Sequence, residues 1–143
     1  MTVSVQTFTP HLTVSDARAA LDFYSRGLGA TEVIRMPAQD GKRLMHAEMQ
    51  VNGARFFVMD EFPEVCEFHN GLKWSAPETL NGTSVTVHVE VPDCDHAVAR
   101  MLEAGATVAV KPWDSFWGAR YGQVVDPFGH AWSFSHPLPG QPA

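Results

Sequence analysis

The sequence predicts an α+β protein built from two β-α-β-β-β modules in tandem that form a cupped mixed sheet. Three observations predict it. Tyr121 to Phe134 reads as two short strands around Asp126-Pro127-Phe128-Gly129, where the Asp supplies an acceptor, the Pro a preset φ and the Gly freedom to take φ > 0. Glu48 to Val58 repeats that hairpin plan with Asn52-Gly53 as its turn. The two halves also match at a nearly constant offset: Val14 and Val91 are 77 residues apart, Gly29 and Gly105 are 76, and so are Gly53 and Gly129. Phrases repeat with it, Leu-Thr-Val-Ser-Asp16 beside Val-Glu-Val-Pro-Asp93 and Gly-Ala-Thr31 beside Gly-Ala-Thr107, which marks a duplicated unit.

Taken in order, Gln6 to Val14 reads as a strand, and Ser15-Asp16 offers an N-cap to a helix over Ala17 to Arg26. Ala17, Ala20, Leu21 and Tyr24 share one helical face, and Gly27 and Gly29 end it. Thr31 to Met36 is a strand, the Pro37 to Gly41 cluster a turn, and Leu44 to Val51 with Ala54 to Met59 a hairpin. Asp60 to Gly82 has no sustained period, and its aromatics Phe62, Phe68 and Trp74 suggest a cover that packs down. Val85 to Val91 then reads as a strand, and Pro92 to Asp95 as the start of a helix burying Cys94, Ala97, Val98, Met101 and Leu102 up to Gly105. Thr107 to Val110 is a strand, Pro112 to Ala119 a loop, and the last hairpin closes the plan. The whole of 1–143 is expected to be one domain, with modules at about 5–60 and 83–136 linked by 61–82.

Composition narrows the function. At 143 residues and 45% hydrophobic content the chain is long enough to bury a core, and a net charge of −6 with no Lys/Arg stripe argues against a nucleic-acid partner. Cys66 and Cys94 read as reduced thiols rather than a disulfide. The start, Met1 to Gln6, has no basic or apolar leader pattern and no segment reaches the ~20 apolar residues of a membrane span, so the cytoplasm is the expected location. Neither cysteine has a nucleophile motif, and no Gly-rich loop suited to phosphate or a dinucleotide follows a strand. Two modules, each with a helix on one sheet face, leave two bare faces, and edge to edge these would line a trough for a small molecule.

The paired modules, with Leu-Thr-Val-Ser-Asp16 opening the first helix, Phe116-Trp-Gly-Ala-Arg-Tyr-Gly122 and Asp126-Pro-Phe-Gly-His130 in the last hairpin, resemble the vicinal oxygen chelate superfamily. That group holds glyoxalase I, fosfomycin resistance, bleomycin resistance and extradiol dioxygenase proteins. The Met45-His-Ala-Glu48 strand and the Phe116 to Gly122 stretch are similar in particular to its PhnB-like branch, once labelled as demethylubiquinone methyltransferases. The methyltransferase label finds no support in a chain without a nucleoside-binding loop. The resemblance implies a glyoxalase-like fold and, because strand edges need partners in the same chain or a second copy, a symmetric homodimer. It does not choose among the lyases, dioxygenases and binding proteins the superfamily hosts.

Metal-dependent members of that superfamily place ligands midway along each module's first strand and near the end of its last. The resemblance puts those positions at Thr9, Thr86 and Ser133, with about Phe57 as the counterpart of Ser133 in the first module, and none is His, Asp or Glu. No cofactor is therefore expected, and the leading reading is a protein that binds a small molecule in the trough. The alternative is a metal-dependent lyase, isomerase or dioxygenase in which a divalent ion is held by a displaced set. His11 and His88, 77 residues apart, and the same-face pair His46 and Glu48 are the candidates for that set or for acid/base chemistry. Arg55 and Arg120 are candidates for recognising an anionic group. Phe116 and Trp117, with Trp113 and Tyr121, are candidates for stacking on a planar ligand. His130 is expected to serve its turn.

Overall fold

The computed structural model describes residues 2–65 and 70–140. Module one runs β1 (His11–Val14), α1 (Ala17–Leu28), β2 (Thr31–Pro37), β3 (Leu44–Val51) and β4 (Ala54–Asp60). A short α2 (Pro77–Leu80) follows, and module two repeats the plan as β5 (Thr86–Glu90), α3 (Cys94–Ala104), β6 (Thr107–Asp114), β7 (Ala119–Val125) and β8 (Ala131–Pro137). The modules form two mixed four-stranded sheets of the same topology, β1-β4-β3-β2 and β5-β8-β7-β6, each with its first strand parallel to its last. The expected α+β class and internal duplication are the architecture observed.

Local chemistry explains the helices. Asp16 caps α1 by accepting from the Ala19 N–H at 3.1 Å, and Asp93 caps α3 by accepting from the His96 N–H at 3.1 Å. Each helix is tied to its own last strand as well: the buried Asp60 carboxylate accepts from the Ala17 N–H at 2.8 Å, and at the equivalent place His136 Nδ1 accepts from the Cys94 N–H at 2.9 Å. Ala17, Ala20, Leu21 and Tyr24 are buried as their spacing predicts. On α3 the stripe is narrower, with Cys94, Val98 and Met101 buried, Ala97 half-buried and Leu102 exposed.

Several boundaries differ from expectation. β1 begins at His11, so Gln6 to Thr9 precede the strand. Gly27 lies inside α1, whose C-cap is Gly29 at φ 70°, and it is where the helices touch: a Cβ on Gly27 would sit 2.8 Å from Met101 Sδ. β6 continues through Pro112 to Asp114, because register shifts between Val108 and Trp113 let a proline into the strand. The expected loop shrinks to 115–118. In the linker, Phe62 lies under Arg43 at 4.4 Å and Trp74 faces His11, whereas Phe68 and Cys66 fall outside the described residues.

The modules join through their helix-covered faces. α1 packs on α3, Phe128 of module two's turn meets Phe23 and Tyr24, and Phe56 meets Trp132 at 5.7 Å. At this seam the buried Asp126 carboxylate accepts from Tyr24 Oη at 2.5 Å, Trp132 Nε1 at 2.9 Å and the Phe128 and His130 N–H groups at 2.9 Å. Burial first, and this neighbouring carboxylate second, push the Tyr24 phenol well above its usual range. His130 serves its turn and the seam, donating from Nε2 to the Thr13 carbonyl at 2.8 Å. Because the covered faces meet, the bare faces do not combine into one trough within the chain, and the mixed sheet of the tandem modules is built as two four-stranded halves.

The seam supplies the first prediction. Asp126→Ala strands an indole N–H, a phenol and two backbone N–H groups in the interior, which should cost about 3 kcal/mol or more. Gly129 has φ 94°, and a Cβ there would lie 2.7 Å from the Glu78 backbone nitrogen on α2, so Gly129→Ala should cost about 1–3 kcal/mol. Denaturant midpoints measure both, and a shared slope shows that compactness is unchanged.

Candidate functional site

Strand alternation sends one set of side chains to each bare face. On module one, β1 presents His11, β3 presents His46 and Glu48, and β4 presents Arg55 and Phe57. Their rings form a cluster: His46 and Phe57 centroids are 4.7 Å apart, His11 and Phe57 5.7 Å, and His11 and His46 5.9 Å, with Trp74 closing over His11 at 6.3 Å. Arg55 lies over the Phe57 ring at 5.5 Å and 3.9 Å from Glu48. Burial, then the neighbouring His46, lower the His11 pKa below its ordinary value of 6.5. Thr9, ahead of β1 and half-buried, is not part of the strand from which it was expected to point.

On module two, His88 of β5 is held from both ring nitrogens. Nδ1 lies 2.7 Å from Ser133 Oγ, and Nε2 lies 3.0 Å from Glu90 Oε1 and 3.1 Å from Ser135 Oγ, which donates in turn to Glu90 Oε2 at 3.1 Å. With the Ser135 proton committed to Glu90, Nε2 donates to the Glu90 carboxylate, and Nδ1 is hydrogen-bonded to the Ser133 hydroxyl. Ser133 is 2% exposed, so its hydroxyl orients the imidazole and is not presented to a ligand. His88 stacks on Tyr121 at 6.2 Å, Tyr121 meets Trp117 at 5.5 Å, and Trp117 in turn meets Phe116 at 5.0 Å and Trp113 at 5.7 Å. Phe116 is 90% and Trp117 53% exposed. A recess of about 810 Å³ is lined by His88, Glu90, Trp117, Tyr121 and Ser135, with Asn52 at its edge. Thr86 is exposed at the start of β5, on the same side as His88.

The structure thus brings His11 and His46 together near Glu48, and places His88 on the other module. Among the described residues no group of three or more His, Cys, Asp or Glu side chains could hold a metal ion. Hydroxyl and phenyl side chains at Thr9, Thr86, Ser133 and Phe57 do not supply such a donor set either. Arg120 is not on the bare face: it shares the covered side of β7 with Val124, and its guanidinium is held by both Asp95 carboxylate oxygens at 2.8 and 2.9 Å and by Asp114 at 3.0 Å. It ties β7 to α3. Glu90 and Ser135 are site neighbours the sequence reading did not single out, and Trp74 was expected only as part of a cover, not beside His11. Period two from His88 and Ser133 would have found the first two, whereas Trp74 comes from a segment without a period. Cys94 is buried, its thiol donating to the Phe134 carbonyl at 3.3 Å and pushed up to about 11 by burial, which leaves it unreactive.

His11 gives the second prediction. Because its folded pKa lies below its unfolded value of 6.5, the unfolded chain takes the proton more readily, and stability falls as pH drops below about 6.5. A proton NMR titration should show the His11 ring with a midpoint below 6.5, shifted partway back in His46→Ala.

The comparisons with known proteins fit this geometry. The model of the Glyoxalase/Bleomycin resistance protein/Dioxygenase superfamily matches residues 5–134. An uncharacterised protein of Mycobacterium bovis is 44% identical over 139 residues, spanning 96% of this chain and 88% of that one. A Mycobacterium tuberculosis relative is equally similar, with 79% of its length covered. Among solved structures, TioX from Micromonospora sp. ML1 is 27% identical with a TM-score of 0.69 over 94% of this chain and 100% of that one. A glyoxalase/bleomycin resistance protein/dioxygenase from Nocardioides is 27% identical with a TM-score of 0.70 over 98% and 89%.

Proposed function

This chain belongs to the glyoxalase/bleomycin resistance protein/dioxygenase superfamily, and on that premise we propose that it is a small-molecule-binding protein that takes a planar ligand on its second bare sheet face without a metal ion. One observation carries the reading: the continuous row of rings from His88 through Tyr121 and Trp117 to Phe116, beside a recess of ligand size. Offset stacking on an exposed indole suits a flat apolar body. His88, held between two serines and Glu90, adds a polar edge. The metal-dependent lyase, isomerase or dioxygenase reading would draw its ligands from His11, His88, His46 or Glu48, and among the described residues these do not gather into a group of three or more that could hold a metal ion. The Met45 to Glu48 and Phe116 to Gly122 segments support placing the chain in the PhnB-like branch.

The second copy belongs to the same proposal. The two bare faces flank a helix-centred core, so a symmetric homodimer would lay the first face of one protomer, with His11, His46, Phe57 and Arg55, over the second face of its partner. Arg55 would then meet an anionic group on a ligand stacked against the partner's Trp117. The exposed large rings at Phe116, Trp117 and Trp113 are the surface such a copy would cover. Light scattering should give twice the 15.7 kDa chain mass, and a monomer mass would refute the dimer.

Calorimetric titration with a set of planar tricyclic compounds such as acridine and riboflavin tests the binding reading. Binding in excess chelator should equal binding without it, and Trp117→Ala should weaken it about tenfold, as loss of one stacking ring implies. Affinity that appears only when a divalent ion is added would favour the metal-dependent reading.

A further inference from the structure

The duplication is imperfect on the covered side. Leu12 and Val14 of β1 are 5% and 0% exposed, whereas Val89 and Val91, their counterparts 77 residues on, are only half-buried. Two differences account for this. In module one, Phe23 of α1 meets Phe128 of module two's turn, with centroids 6.3 Å apart. The residue equivalent to Phe23 on α3 is Arg100, and module one's turn, Asn52-Gly53, is a residue shorter than Pro127-Phe128-Gly129 and carries no ring. The ring pair that seals one side of the core has no counterpart on the other. A crevice of about 1000 Å³ remains, walled by Leu28, Phe56, Val87, Val89, Trp132 and Phe134.

Four charged side chains line the rim: the carboxylates of Glu90 and Asp93 and the guanidinium groups of Arg55 and Arg100. Asp93 is committed to capping α3, Glu90 holds His88 and Ser135, and Arg55 faces Glu48 at 3.9 Å. Arg100 spends only its Nε, donating to the Arg26 carbonyl at 2.9 Å, and among the described residues no carboxylate pairs with it. Arg100 lines an apolar crevice, with its two terminal nitrogens 3.3 Å from where a Cβ on Gly29 would stand and no carboxylate among the described residues paired with them, an arrangement that favours an anion attached to an apolar body.

We propose that this crevice is a second ligand site, on the opposite side of β5 from the aromatic recess, and that it takes a compact apolar molecule bearing one carboxylate or sulfonate. Its apolar part replaces the missing ring pair against Val87, Val89 and Trp132, and its anion meets Arg100. His88 and Glu90, at the free edge of β5, separate it from the recess.

Two naphthalene dyes test this: 8-anilinonaphthalene-1-sulfonate, and N-phenyl-1-naphthylamine, which has similar rings and no charge. Both should bind, and in methyl NMR spectra each should shift the signals of Val87, Val89 and Val91. Arg100→Gln, at an exposed position, should weaken the sulfonate about tenfold and leave the neutral dye unchanged. Ala97→Phe, which places a ring in the crevice wall, should weaken both. Failure of either dye to bind, methyl shifts confined to residues outside the crevice, or an equal effect of Arg100→Gln on the two dyes would overturn the proposal.

Discussion

The buried Asp126 carboxylate is the constraint on which the two-module structure depends. It accepts four hydrogen bonds: two hold its own turn, one holds the Trp132 indole of its own sheet, and one comes from Tyr24 on the other module's helix. A carboxylate taken out of water is costly unless each oxygen is met by donors, so the donors must arrive together. That requirement ties the shape of the last turn to the position of α1. It also carries Phe128 into module one, and so determines which sheet faces are covered and which are left bare.

Duplicated modules rarely stay equal, and here their differences sort by role. Asp60 and His136 do the same job with different chemistry, each accepting from the first N–H of its module's helix. The bare faces have diverged further: an imidazole pair with Phe57 on one, and an imidazole set in hydroxyls and carboxylate beside a row of indoles on the other. Among the described residues neither face gathers three or more His, Cys, Asp or Glu side chains able to hold a metal ion. The covered faces have diverged by a single ring pair, enough to seal one half and leave the other with an opening.

Much of this was legible in the sequence because it rests on local rules. The two hairpins follow from Asn52-Gly53 and Asp126 to Gly129, the helices from Asp16 and Asp93 with their apolar stripes, and the duplication from the constant offset. What escaped depended on how elements meet. Gly27 looked like a helix stop because its lack of a side chain is used by Met101, far away in sequence. Arg120 looked like a ligand contact because β6 was expected to end at Val110 and the last hairpin to begin only at Tyr121. Once β7 is seen to begin at Ala119, alternation with Tyr121 turns Arg120 toward α3 and Asp95. His11 and His88 were rightly seen as equivalents, but equivalence under an offset does not say which faces come together.

The four indoles fall in places that matter. Trp132 is sealed at the seam against Asp126, Trp113 and Trp117 stand on the outer aromatic row, and Trp74 lies over His11 in module one. Trp132 is 2% exposed and the other three are 41–53% exposed, so the emission of the buried indole is separable from theirs in single-Trp versions of the chain. The molecule therefore carries its own optical gauges, one for the joint between its halves and others for each surface that a guest would touch.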